Sequence, residues 1–265
     1  MLFFPKGNAG VLFDEESTVL SAKDGVSSGV AAITVDTKSG DNMIIVTPGT
    51  NFLLTSSDVR EALEKTKESV SVVLVQLEIK PEPALEALKV GKDLGATTIL
   101  NTAPAPEEFT LDEWYPYIDI LIPNETELQE LCKGGPTVDE ETMAKSLIAK
   151  GVGKVLVTLG SRGAMIVEKA SPDSDDSEIS VTMINAPDDL PCKNEPVIDT
   201  IGAGDAFCGA LSTYLSSGLS LAEAATKACG VASMSVRKRG AQTSYPTPDI
   251  LPDCLKLPVH AAKGN

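Results

Sequence analysis

Four short apolar runs separated by stretches of helical character constrain this chain most. Val72–Val75 and 155–157 are wholly apolar, 118–122 carries a single Asp, and 97–100 opens on two threonines before Ile99 and Leu100. A strand with one wet face would alternate polar and apolar residues, so these read as strands buried on both faces, the pattern of a parallel sheet covered by helices. The intervening stretches supply the helices. Residues 57–67 (capped by Ser56 or Ser57), 83–94 (ending at Gly95), 125–131 and 140–150 each carry a helical pattern. Residues 164–167 add another strand. The alternation predicts an α/β fold built on a mainly parallel sheet. Ahead of it, 29–35 and 43–46 flank the polar turn 38–42 and read as a hairpin. Residues 171–177 are acidic and without periodicity, as in a surface loop or the turn of an edge hairpin.

The chain has 265 residues, a length that suits one large domain or two small ones, and 42% of them are hydrophobic, enough to bury a core. A formal net charge of -16 argues against nucleic acid and acidic membrane surfaces as partners. It does not argue against a small phosphate-bearing ligand, which local amides and a few cations can hold. No apolar stretch approaches membrane-spanning length. Met1 to Pro5 form a short apolar patch without the pattern of a cleaved leader. The five cysteines (Cys132, Cys192, Cys208, Cys229 and Cys254) show no CxxC pair and no metal spacing. Such a scattered set suits a reducing compartment, and a cytoplasmic location is expected. Cys208 and Cys229 lie in apolar helical stretches and read as small core residues.

Gly202, Ala203, Gly204, Asp205, Ala206 and Phe207 open an amphipathic run in which Ala203, Ala206, Phe207, Ala210, Leu211 and Tyr214 recur at helical spacing. Two glycines before a helix let backbone amides approach a ligand, and the positive helix start favours an anion such as phosphate. Asp205 sits just inside that helix. It is a metal ligand, a proton acceptor, or simply an acidic residue at a helix start.

Glu78, Asn101 and Asn124 each follow an apolar run, as do Thr158 and Gly160. If those strands are parallel, all five gather at the carboxyl rim of the sheet, where open α/β sheets bind ligands. Taken singly, each is ordinary turn chemistry. The chain has no P-loop, no dinucleotide-binding glycine fingerprint and no H-R-D or D-F-G kinase set. Its one histidine, His260, lies in the tail, so histidine acid–base chemistry, a serine triad and a zinc site all lack their residues. Carboxylates and helix-terminus electrostatics remain to carry chemistry.

At these residues the chain resembles the ribokinase-like sugar kinases, the phosphofructokinase-B carbohydrate kinase family. Asp199-Thr200-Ile201-Gly202-Ala203-Gly204-Asp205 is similar to the family's D-T-x-G-A-G-D signature, and Asn124-Glu125-Thr126-Glu127 to its N-x-x-E magnesium motif. Thr158-Leu159-Gly160-Ser161-Arg162-Gly163 resembles its T-L-G-x-x-G nucleotide turn. Val75 to Glu78, Asn101 to Ala105 and Gly240 to Pro246 are closer to the ribokinase branch than to the fructokinase and adenosine kinase branches. The resemblance runs from about Gly25 to about Asp253.

The resemblance implies a three-layer sandwich with a partial β-lid, in which 25–265 form the kinase domain, about 29–47 the lid hairpin, and 1–24 a segment outside the family. It also implies ATP-dependent phosphorylation of ribose at the 5-hydroxyl. Asp205 would accept the hydroxyl proton while the amides of Gly202, Ala203 and Gly204 stabilise charge on the transferred group. Asn124 and Glu127 would organise Mg2+, largely through water. Asn124, Thr158, Gly160 and Gly163 would lie along the nucleotide, and Glu78 would bind sugar hydroxyls. A K+ site would draw on the Asp199 side chain, the carbonyls of Ile201, Ser235, Lys238 and Gly240, and the Ser244 hydroxyl, although Asp199 also suits capping of the following turn. A homodimer through the lid strands is expected, with sugar and ATP as small-molecule partners. The family's strand-borne sugar-binding Asp and its G-G-K-G-x-N motif are not found ahead of Gly25. The alternative is therefore a truncated nucleotide-binding pseudo-enzyme, or a gene-model fragment of a family enzyme, without sugar turnover.

Overall fold

The computed structural model describes residues 25–35, 42–65, 67–106, 110–133, 137–170 and 178–257. The expected segment 1–24, most of the 38–42 turn, the 171–177 loop and His260 fall outside them.

Six strands form the main sheet in the order β3 (Val72–Val75), β4 (Thr97–Asn101), β5 (Ile120–Ile122), β6 (Lys154–Thr158), β7 (Ala164–Lys169) and β8 (Ile179–Ile184). The pairs β3–β4, β4–β5 and β5–β6 are parallel. The parallel pattern stops at β6. Only the turn around Gly160–Arg162 separates β6 from β7, too short for a helical crossover, so β7 returns antiparallel and β8 follows it. β5 is shorter than its apolar run because 115–117 form a 3-10 turn from which Ile118 and Asp119 are still emerging.

Alternate strand residues feed two cores. Leu100, Leu121, Val155 and Val157 face α2 (Pro81–Asp93), α3 (Glu125–Cys132) and α4 (Glu140–Ala149) through Leu88, Leu128 and Leu147. Ile99, Ile120, Ile122 and Leu156 face α5 (Ala203–Ser216) and α6 (Leu221–Ser235) through Phe207, Leu211 and Ala228. Both faces are thus covered, which is why the strands carry no polar alternation. Cys208 and Cys229 are buried in the second core.

Helix ends differ from the sequence expectation for local reasons. α1 (Ser56–Lys65) starts at Ser56, and Thr55 is its cap: the Thr55 hydroxyl accepts from the Asp58 amide at 3.2 Å, while Asp58 Oδ2 accepts from the Thr55 amide at 2.9 Å. α2 begins two residues early because Pro81 fits the first helical turn, where its missing N–H costs nothing. α6 opens on a reciprocal Ser220–Glu223 capping box. The sequence reading did not delimit β8 or α6.

The hairpin is real: β1 (Val30–Val35) pairs antiparallel with β2 (Asn42–Thr47). Its lower end meets the main sheet where the Asn51 side chain donates to the Glu78 carbonyl at 3.5 Å.

Candidate active site

The carboxyl ends of β3 to β6 form one rim, and most of the expected positions lie along it. β3 ends three residues before Glu78, an exposed residue in the following turn. Asn101 closes β4, its Nδ2 donating to the Ile122 carbonyl at 2.9 Å. Asn124 and Thr158 form an isolated parallel bridge just beyond β5, supported by the Thr158 amide donating to the Pro123 carbonyl at 3.0 Å. Pairing therefore continues past the strand and brings the start of α3 beside the turn at Gly160.

Asn124 and Glu127 are locked to each other. Asn124 Oδ1 accepts from the Glu127 amide at 2.8 Å; Glu127 Oε2 accepts from the Asn124 amide at 2.9 Å and Oε1 from Asn124 Nδ2 at 2.8 Å. Thr102, fully buried, donates a further bond to Oε2 at 3.1 Å. Glu127 is only 8% exposed. Burial lifts its carboxyl above the ordinary range, with the bonds from Asn124 and Thr102 pulling against that rise.

The turn after β6 is shaped by Gly163, at φ 84°. A Cβ there would stand 2.0 Å from the Ile184 carbonyl, so the turn packs directly on β8. Arg162 ties this turn outward to Glu125 at the start of α3 and to Glu140 at the start of α4, the latter at 2.7 Å.

Gly202 caps α5 at φ 76°, a left-handed conformation that a side chain resists. The Ala203 amide donates to the Thr200 carbonyl at 3.2 Å. The amides of Gly202, Gly204 and Asp205 have no acceptor among the described residues. Helix geometry leaves such first-turn donors open, and they favour an anion. Asp205 stands on this turn. The residue is exposed toward the open rim, but enough protein surrounds its carboxyl that desolvation raises its pKa. The Tyr245 hydroxyl, which donates to Asp205 Oδ2 at 3.3 Å, acts in the opposite direction. Asp205 and Glu127 both bear electrostatically on the buried thiol of Cys208, which is pushed up to about 12, chiefly by burial.

Asp199 draws the neighbouring loops together. Its Oδ2 accepts from the Gly240 amide at 2.9 Å and its Oδ1 from the Ile201 amide at 3.0 Å, which hold its carboxyl below the usual range. The carbonyls of Ile201, Lys238 and Gly240 receive no hydrogen bond among the described residues; that of Ser235 accepts from the Lys238 amide at 3.2 Å. Ser244 is buried, its hydroxyl donating to the Ala241 carbonyl at 2.7 Å. Among the described residues no group of three or more His, Cys, Asp or Glu side chains is placed to hold a metal ion, and no helix is long and apolar enough to cross a membrane.

Sequence reasoning assigned no role to Tyr245, Thr102 or Arg162. All three lie inside the motifs that carry the resemblance, but only the fold shows what they touch.

A helix-covered, mainly parallel sheet with an anion-favouring helix start defines an α/β framework of the kind that binds ligands at the carboxyl ends of its strands. The pfkB family carbohydrate kinase profile matches residues 16–248. Ribokinase of Mus musculus is 33% identical over 234 residues, covering 86% of this chain and 67% of that protein. Deoxyribokinase of Salmonella typhi is 36% identical over 235 residues, covering 87% and 70%. The structure of Arabidopsis thaliana ribokinase complexed with ribose and ATP superposes with a TM-score of 0.67 at 28% identity, covering 88% of this chain and 71% of that one. This chain belongs to the pfkB family of carbohydrate kinases.

Proposed function

We propose that the chain is an ATP-dependent sugar kinase acting on the 5-hydroxyl of ribose, with Asp205 as base. The observation that carries this reading is the first turn of α5, where three open amides and a carboxylate of raised pKa stand together at the ligand-binding rim.

In the proposed step the Asp205 carboxylate takes the proton of the sugar hydroxyl. The freed oxygen forms a bond to the γ-phosphorus. The bond from that phosphorus to the β–γ bridging oxygen breaks, and ADP leaves with the electron pair. Asp205 then returns its proton to solvent. A positioned base of this kind contributes roughly 10²- to 10⁴-fold. The amides of Gly202 and Gly204 would hold charge on the transferred group. Ala203 has its amide occupied by Thr200, so its contribution would need that turn to open. Thr158, Gly160 and Gly163 would position the nucleotide, with Arg162 bracing their turn, and Glu78 would bind sugar hydroxyls.

Asn124 and Glu127 fit Mg2+ in its outer shell. Both Glu127 oxygens already accept hydrogen bonds, so the pair would orient water on the ion rather than coordinate it. The Ile201, Lys238 and Gly240 carbonyls, with Asp199, Ser235 and Ser244, form an all-oxygen set that fits K+. Bound there, K+ would add positive potential beside the helix start. The hairpin β1–β2 would act as a lid over the rim, and its exposed Val30, Ile45 and Val46 would suit a second copy's hairpin.

The test is ADP release with Mg2+ and K+ in the presence of ribose, 2-deoxyribose or no sugar. The reading expects ribose to stimulate turnover most. Hydrolysis of ATP indifferent to either sugar would replace it with nucleotide binding alone, and stronger stimulation by 2-deoxyribose would change the substrate.

A further inference from the structure

We propose that Tyr245 is a positioning residue for the phosphoryl-transfer base: its hydroxyl holds one oxygen of Asp205 so that the other takes the acceptor's proton. The inference rests on the reading of Asp205 as base.

Tyr245 follows the 3-10 turn Gln242–Ser244, 40 residues from Asp205 in sequence. Its ring packs against the core beneath α5 and α6. The approach is close. A Cβ on residue 202 would stand 2.6 Å from the Tyr245 hydroxyl and 3.1 Å from ring atom Cε1. Gly202 therefore serves twice: it supplies the left-handed cap of α5 and leaves the space through which Tyr245 reaches the same turn.

An ionised carboxylate only accepts hydrogen bonds, and an ordinary phenol stays protonated well above neutral pH. The bond at 3.3 Å thus runs from Tyr245 to Asp205 Oδ2. Asp205 Oδ1 accepts no hydrogen bond among the described residues. The two oxygens are made unequal by one contact, and the open one is left to the acceptor hydroxyl. Other titratable groups near this carboxylate do not compete. Cys208 lies one turn along α5 as a buried neutral thiol, and Glu127, from α3, is held in its capping box with Asn124 and Thr102.

Removing the hydroxyl would free the carboxylate to rotate and would withdraw a bond from its charged form. Tyr245→Phe keeps the ring and its packing. The experiment measures kcat, KM for ATP and the pH profile of sugar-dependent transfer in wild type and Tyr245→Phe. It pairs these with carboxyl carbon-13 NMR titration of Asp205 in both proteins. The expected result is a fall in kcat of about threefold or more. KM for ATP should be nearly unchanged, and the acid limb and the Asp205 titration should both move to higher pH. A folded Tyr245→Phe protein with either an unaltered kcat or an unaltered Asp205 midpoint would overturn the proposal. The NMR readout needs no turnover: loss of the base reading would appear as Asp205→Asn retaining wild-type transfer, whereas loss of the Tyr245 role would appear as an unmoved Asp205 midpoint.

Discussion

Asp205 and Asp199 are six residues apart and have opposite electrostatic settings. Asp205 is partly desolvated with one long hydrogen bond, and its pKa is raised. Asp199 accepts two backbone amides, from Gly240 and Ile201, and its pKa is lowered. The first arrangement suits a proton acceptor; the second suits a fixed negative charge that ties loops together. Because Asp199 is more acidic folded than unfolded, its stabilisation is fully present above the ordinary carboxylate range, near pH 4. It is lost as pH falls through the lowered native value. Asp199→Ala should therefore destabilise the fold at pH 7, and by less as pH falls below about 4, measured by urea unfolding across pH. A loss independent of pH would place the effect in loop packing instead. Gly202 makes a second test at this scale. Gly202→Ala adds both the left-handed strain and the clash with Tyr245, and it should lower activity far more than a change on the exposed surface of α5.

At the scale of elements, the start of α3 does structural and chemical work with the same atoms. Asn124 and Glu127 satisfy each other's amides, and Thr102 anchors the pair to the end of β4. Glu127→Ala should cost about 1–2 kcal/mol of stability by loss of the cap, read by chemical denaturation, and should raise the Mg2+ concentration needed for half-maximal turnover. Unchanged stability would mean that the box contributes little to holding α3. Most of these elements could be read from the residues. The apolar runs marked β3, β4 and β6 because a strand buried on both faces cannot disguise itself as amphipathic. β8 was not visible, since Ser180 and Thr182 interrupt its apolar character at the sheet edge. The return of β7 was not visible either, because direction depends on the length of the connection and not on the strand's own residues. At the site, glycine and acid positions carried their meaning in the motif, whereas Tyr245 and Thr102 act through distant contacts that no local pattern encodes.

For the whole molecule, the formal net charge of -16 opposes the approach of a polyphosphate even though the rim is built to receive one. Screening should relieve that repulsion. The association rate for Mg-ATP should rise as ionic strength goes from about 0.01 to about 0.15 M. A steep fall over that range would reveal a cationic site stronger than the open amides of α5. The rim itself is an assembly. α3 and the β6 turn come from residues 125–163, and α5 and Tyr245 from residues 203–245. Only the common sheet brings the Asp205 carboxylate near the helix starts on which phosphoryl transfer would depend. The most direct measurement is phosphorus NMR of ribose and Mg-ATP incubated with wild type and with folded Asp205→Asn. The account predicts a sugar-phosphate resonance with wild type and its loss, by at least about 100-fold in rate, in the variant. Equal rates of sugar phosphate formation by the two proteins would contradict it.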